Sequence, residues 1–159
     1  MGDAPDTADS RRALGGPGIV LVVVYAVLAL AATGRSILQI TSYFEQAPLA
    51  YLLSAFAAVV YLLATWCLAR GGRWVRVGVV ACTIELVGVL VVGTASYLVP
   101  DAFPDQTVWS HFGQGYGYVP LVLPVLGLLW FRRVDRLAAA TEARASGSTL
   151  GGVDPSALG

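Results

Sequence analysis

A chain of 159 residues that is 57% hydrophobic and 13% charged, with a mean hydropathy of +0.71, is too apolar for a soluble domain and has the make-up of a small polytopic membrane protein. Ten basic residues, all of them arginine, balance ten acids to a formal net charge of zero. No global field therefore points to nucleic acid or an acidic partner, and the information lies in where the arginines sit.

Residues 1–16 open as a polar stretch with Asp3, Asp6 and Asp9, end near Arg11 and Arg12, and show no apolar periodicity; a disordered cytoplasmic tail is expected there. Pro17 then starts a helix. Residues 18–33 are almost uninterrupted Val, Leu, Ile and Ala, and the following turns keep a helical pattern in which Ile37, Ile40 and Phe44 oppose Arg35, Gln39, Ser42 and Gln46. The first span is placed near residues 17 to 40. Arg35 lies ~26 Å along the axis from Gly18, level with the far headgroups, where a guanidinium can snorkel. A competing reading makes residues 19–28 the apolar core of a signal peptide, with Ser10, Arg11 and Arg12 before it and Ala29, Leu30 and Ala31 as a cleavage site. It is the weaker one, because further spans rather than a secreted domain follow.

Pro48 opens the second span, residues 47 to 69, which ends at the turn Arg70, Gly71, Gly72, Arg73. Its polar stripe is Ser54, Ala58, Tyr61 and Thr65 at helical spacing. The third span, residues 75 to 98, carries the one acid set inside an apolar run. Glu85 lies ~15 Å along the axis from Val75, the middle of a ~30 Å hydrocarbon core. Ionisable groups at that depth are expensive and mark functional sites by default. Around it Gly78, Ala81, Cys82, Gly88, Val92, Ala95 and Ser96 recur at intervals of three and four, a stripe of small residues that suits packing against other helices. Glu85 therefore faces protein, while Val79, Val80, Ile84, Leu86, Val87, Leu90 and Val91 face lipid. Tyr61 and Glu85 come to comparable depths in the hairpin of spans two and three, so Tyr61 or Thr65 is the expected hydrogen-bond partner of the acid; the alternative for Tyr61 is a packing role with its hydroxyl on a backbone carbonyl. Arg35 is expected too far out to pair with it.

Residues 100–117 form the only sizeable loop, with two Asp and one His but no arginine. The last apolar core is short for a crossing, so the fourth span is expected to begin upstream, near residues 107 to 131, bent or broken by Gly113, Gly115, Gly117, Pro120 and Pro124. Trp109, Phe112, Tyr116 and Tyr118 read as an outer aromatic belt, with Trp66, Trp74 and Trp130 as the inner one. Arg132, Arg133 and Arg136 stop the span, and residues 137–159 are expected to be mostly disordered. The arginine clusters before span one, between spans two and three, and after span four all fall on one side, which the positive-inside bias makes the cytoplasm.

These readings give an all-α fold: a four-helix transmembrane bundle over residues 17–136 in the cytoplasmic membrane, both termini cytoplasmic, the fourth helix kinked. No catalytic set, cofactor motif or metal spacing stands out. Cys67 and Cys82 are not a CxxC pair, and His111 with Asp101 and Asp105 lacks diagnostic ligand spacing. The glycines at 113, 115 and 117 follow no strand, so they are not a phosphate loop.

The runs ATGRSILQI, APLAYLLSA and VWSHFGQGYGYVPLVLP resemble the small four-span integral membrane proteins common in actinobacteria, a likeness covering residues 31 to 131. The resemblance implies architecture and a high-GC bacterial source, in keeping with the absence of lysine; it carries no activity and no site residues. The small stripe of span three and the glycines of span four offer more close-packing surface than four short helices need. The leading expectation is thus a non-enzymatic protein with a structural or assembly role, in a homo-oligomer or with another membrane protein. The alternative is a small proton- or cation-coupled transporter using Glu85, with Tyr61, Thr65, Ser54 and Arg35 as the remaining intramembrane polar candidates. Small proton-coupled exporters of four spans carry their acid in span one, and this chain has it in span three.

Overall fold

The computed structural model describes residues 15–150; the tail readings for 1–14 and 151–159 lie outside the described residues. Four long helices appear: α1 Gly15–Tyr43, α2 Pro48–Arg70, α3 Val75–Leu98 and α4 Val119–Leu150, joined by short 3-10 turns, with no strand among the described residues. Three stretches, Gly16–Gln46, Pro48–Arg70 and Gly72–Leu98, are long and apolar enough to cross a membrane. Ser110–Tyr116 followed by Val119–Thr141 makes a fourth if that pair, bent by 97°, counts as one span. This is the architecture of a multi-pass membrane protein.

Each helix buries one face at intervals of three and four residues and exposes bulky aliphatics on the other. On α1 the buried face is Leu21, Tyr25, Leu28, Ala29, Ala32, Ser36 and Gln39, and Val20, Val23, Val27 and Leu30 are exposed. On α3 Gly78, Ala81, Cys82, Glu85, Val92 and Ser96 are buried and Val80, Ile84, Val87, Leu90 and Val91 exposed, as the spacing of small residues predicts, whereas Val79 and Leu86, expected on the lipid face, are half-buried against the core because they flank the packed stripe. α1 pairs most extensively with α2, α3 packs on both α2 and α4, and α4 touches α1, so the helices close a ring in chain order.

The chain turns from α2 to α3 at Gly71 and Gly72, whose φ of 59° and 54° suit a residue without Cβ, and the Gly71 amide closes α2 on the Cys67 carbonyl at 2.9 Å. The fourth segment does not continue as one helix from residue 107. Its backbone passes through positive φ at His111, Phe112 and Gly113, then again at Gly117 and Tyr118. Gly113 is doubly constrained, because a Cβ there would also lie 2.8 Å from the Pro120 ring. The helix continues through Pro124 and past Arg136 to Leu150, so the described part of the tail expected to be mostly disordered, residues 137–150, is helical, which its Ala-rich start favours.

Aromatic side chains of this fourth segment fill the small stripe of α3 at Gly78 and Gly88 and pack on Gly93 beside it. A Cβ at Gly78 would lie 2.2 Å from the Phe131 ring, one at Gly88 2.6 Å from Trp109, and one at Gly93 2.5 Å from Phe112. The missing Cβ atoms are therefore the sockets for three rings. Trp109, read from sequence as part of an outer aromatic belt, is instead 2% exposed and sits in the core.

Candidate functional site

Glu85 is 0% exposed, at the centre of the ring of helices. One carboxyl oxygen, Oε2, accepts a hydrogen bond from the Tyr25 hydroxyl at 2.8 Å, which reaches across from α1. The same hydroxyl lies 3.4 Å from Cys82 Sγ, one turn before the acid on α3. The other oxygen, Oε1, is buried without a hydrogen-bond partner. Space for this group comes from Gly127 of α4, where a Cβ would stand 2.8 Å from Cys82 Sγ and 3.3 Å from the Tyr25 oxygen. A phenol, a thiol and a carboxyl thus pack together against a glycine.

Tyr61 and Thr65, the partners expected from sequence, are engaged elsewhere. The Tyr61 hydroxyl accepts from Trp109 Nε1 at 3.0 Å, and its ring meets that of Tyr25 edge-on with centroids 6.4 Å apart. Thr65 returns its hydroxyl to the Tyr61 carbonyl at 2.7 Å, and Ser54 does the same to Ala50 at 3.0 Å, the usual way a helix interior absorbs a hydroxyl. Depth alone does not choose between Tyr61 and Tyr25, because Tyr25 stands ~12 Å along the axis from Pro17, level with Glu85 in its own span. It is the one side chain with a polar tip within residues 19–32, and that was the available signal.

Arg35 lies away from the acid, at the other end of α1. Its Nη2 donates to the Gln106 carbonyl at 2.7 Å and stands 3.9 Å from the Asp105 carboxylate; its Nη1 lies 3.4 Å from the Tyr116 hydroxyl. Gln39 holds the other oxygen of Asp105 at 3.1 Å. Arg35 therefore ties the loop to α1, and its ion pair, at 31% and 43% exposure, contributes little by itself. Among the described residues it is the one ion pair, so no cation compensates Glu85. No group of three His, Cys, Asp or Glu side chains placed to hold a metal occurs among the described residues either.

The loop is held to the bundle from within. Thr107 Oγ1 accepts from the backbone amides of Trp109 and Ser110 at 3.1 and 2.9 Å, and the Ser110 hydroxyl accepts from the Thr107 amide at 2.9 Å. Ser96 of α3 accepts from the His111 amide at 2.8 Å. This turn aims the Trp109 indole inward over Gly88, one turn from Glu85.

Comparison with protein-family models, with curated proteins and with solved structures finds no match to this chain, so its function has to be argued from its own residues.

Proposed function

We propose that the chain is a non-enzymatic, four-span protein of the cytoplasmic membrane, both termini inside, that binds and releases a proton at Glu85 while moving a small solute. The observation that carries this reading is a fully buried carboxyl with one oxygen held by Tyr25 and the other free, and no cation beside it. An ionised acid so placed would be uncompensated in a low-dielectric interior, so a proton is the natural occupant. A metal ion calls for several oxygen ligands, and here a single carboxyl and a phenol are available.

Glu85→Gln tests it, because glutamine keeps the shape and the hydrogen bonding and cannot titrate. In liposomes containing the purified protein, wild type is expected to show a carboxylic C=O infrared band that responds to bulk pH, and proton uptake after an acid jump, read by a trapped pH dye. Glu85→Gln should lose both while unfolding at the same temperature. Equal band and equal uptake in the two proteins would remove Glu85 as a proton site.

The orientation rests on the arginine bias and has its own check. In a background with Cys67 and Cys82 replaced, a cysteine at Asp105 is expected to react with an impermeant thiol reagent in intact cells, and one at Gly72 only after permeabilisation. The reverse pattern would invert the topology.

An assembly role is the second reading, and a different surface favours it. The stripe on α3 is filled by Phe131 and Trp109, so it is not free for a partner. Between α1 and α2, however, a groove of about 330 Å³ is lined by the half-buried Ala55 beside the buried hydroxyls of Thr33 and Ser36, neither of which has a hydrogen-bond partner. Small residues with polar groups to satisfy suit a packed helix. Crosslinking in mild detergent would reveal a partner there, and Ala55→Trp should abolish the crosslink.

A further inference from the structure

At the arginine-bearing end of the bundle, α1 and α4 flank an apolar groove of about 400 Å³, a size typical of small-ligand sites. Its walls are Val20 and Leu21 of α1 and Leu126 and Leu129 of α4. Its charged end is formed by Trp130 and Arg133, one turn beyond Leu129. Gly18 lets Trp130 close one side of the groove: a Cβ at residue 18 would lie 2.5 Å from the Trp130 ring, so the indole lies against the α1 backbone. Arg133 is exposed, and among the described residues it pairs with no carboxylate.

We propose that this groove binds an anionic glycerophospholipid, one acyl chain against the aliphatic walls and the phosphate on the Arg133 guanidinium. The two halves of the site match the two halves of such a lipid. The aliphatic walls suit an acyl chain, and Trp130 and Arg133, residue types that mark the headgroup region, stand at one end of the groove. Basic pockets between spanning helices recognise anionic headgroups in this way, and an Arg offers phosphate a planar, bidentate donor. A neutral, zwitterionic lipid would fill the walls equally well and gain less at the arginine.

Native mass spectrometry of the full chain tests this, with the protein released from nanodiscs of mixed phosphatidylglycerol and phosphatidylcholine of matched acyl chains. Phosphatidylglycerol is expected to be retained selectively. Arg133→Gln should reduce that retention about fivefold, the value of one basic residue near a charged bilayer surface. Val20→Trp, on the exposed face and thus harmless to folding, should fill the groove and remove retention with Arg133 intact. Arg76→Gln, which removes a charge at the same end but does not line the groove, should change nothing. Equal retention of the two lipids, or an equal effect of Arg76→Gln and Arg133→Gln, would overturn the site in favour of a diffuse surface field. Displacement by inorganic phosphate alone would overturn the lipid in favour of a bare anion site, and a dimer abolished by Val20→Trp would give the groove to a second copy.

Discussion

Tyr25→Phe is expected to destabilise the bundle by about 1–3 kcal/mol, because it leaves both oxygens of a fully buried carboxyl without a partner. The phenylalanine ring still fills the space, so little of the cost comes from a cavity. Unfolding of the detergent-solubilised protein, followed by tryptophan fluorescence, would measure it. The sharper quantity is the coupling in a double-mutant cycle. Tyr25→Phe combined with Glu85→Met should be less damaging than the sum of the single changes by about 1–2 kcal/mol, the range of strong hydrogen bonds between spanning helices. Tyr61→Phe should also destabilise, since it takes the acceptor from Trp109 Nε1, yet its coupling to Glu85 should be near zero. A strong Tyr61 coupling with none for Tyr25 would return the acid to the partner that depth alone suggested.

The contrast between those two tyrosines shows how far sequence reasoning reaches in this chain. The spacing of Gly78, Ala81, Cys82 and Ser96 was enough to turn Glu85 inward, because a helix has one period and lipid rewards bulky residues on the other side. What periodicity could not supply was the arrangement across the bundle. Tyr25 and Tyr61 stand at similar depths to Glu85, and the choice between them is made by Trp109, which takes up Tyr61 from the far end of the chain. Trp109 was illegible for a local reason. Its aromatic neighbours and nearby glycines suggest a headgroup belt, whereas the reciprocal Thr107 and Ser110 bonds reverse the backbone and drive the indole inward. Residues 107–116 likewise read as the start of a helix because the apolar core after them is short. Positive φ at three consecutive residues, two of them not glycine, is set by the packing of Phe112 on Gly93 and by the tie to Ser96, neither of which a sequence window contains.

Trp109→Ala is expected to be the most damaging single change, at about 3–5 kcal/mol, the cost of truncating a fully packed large aromatic. The indole seats on the bare backbone at Gly88, meets Phe56 edge-on with centroids 6.0 Å apart, and donates to Tyr61. Its removal opens a cavity one turn from Glu85 and strips Tyr61 of its donor at the same time. The loss should therefore appear in proton uptake as well as in stability. Trp66→Ala is the control, since Trp66 is 48% exposed and its contact to Arg70, with the guanidinium 4.2 Å from the ring centroid, lies on the surface. That change should cost no more than about 1 kcal/mol. Approaching the same contact from the other side, Gly88→Ala should cost about 1–3 kcal/mol by pushing a Cβ into the indole. If Trp109→Ala and Trp66→Ala unfolded alike, Trp109 would belong in the headgroup belt. The loop would then lie on the membrane surface, and the Tyr61 hydroxyl would be free to turn toward Glu85.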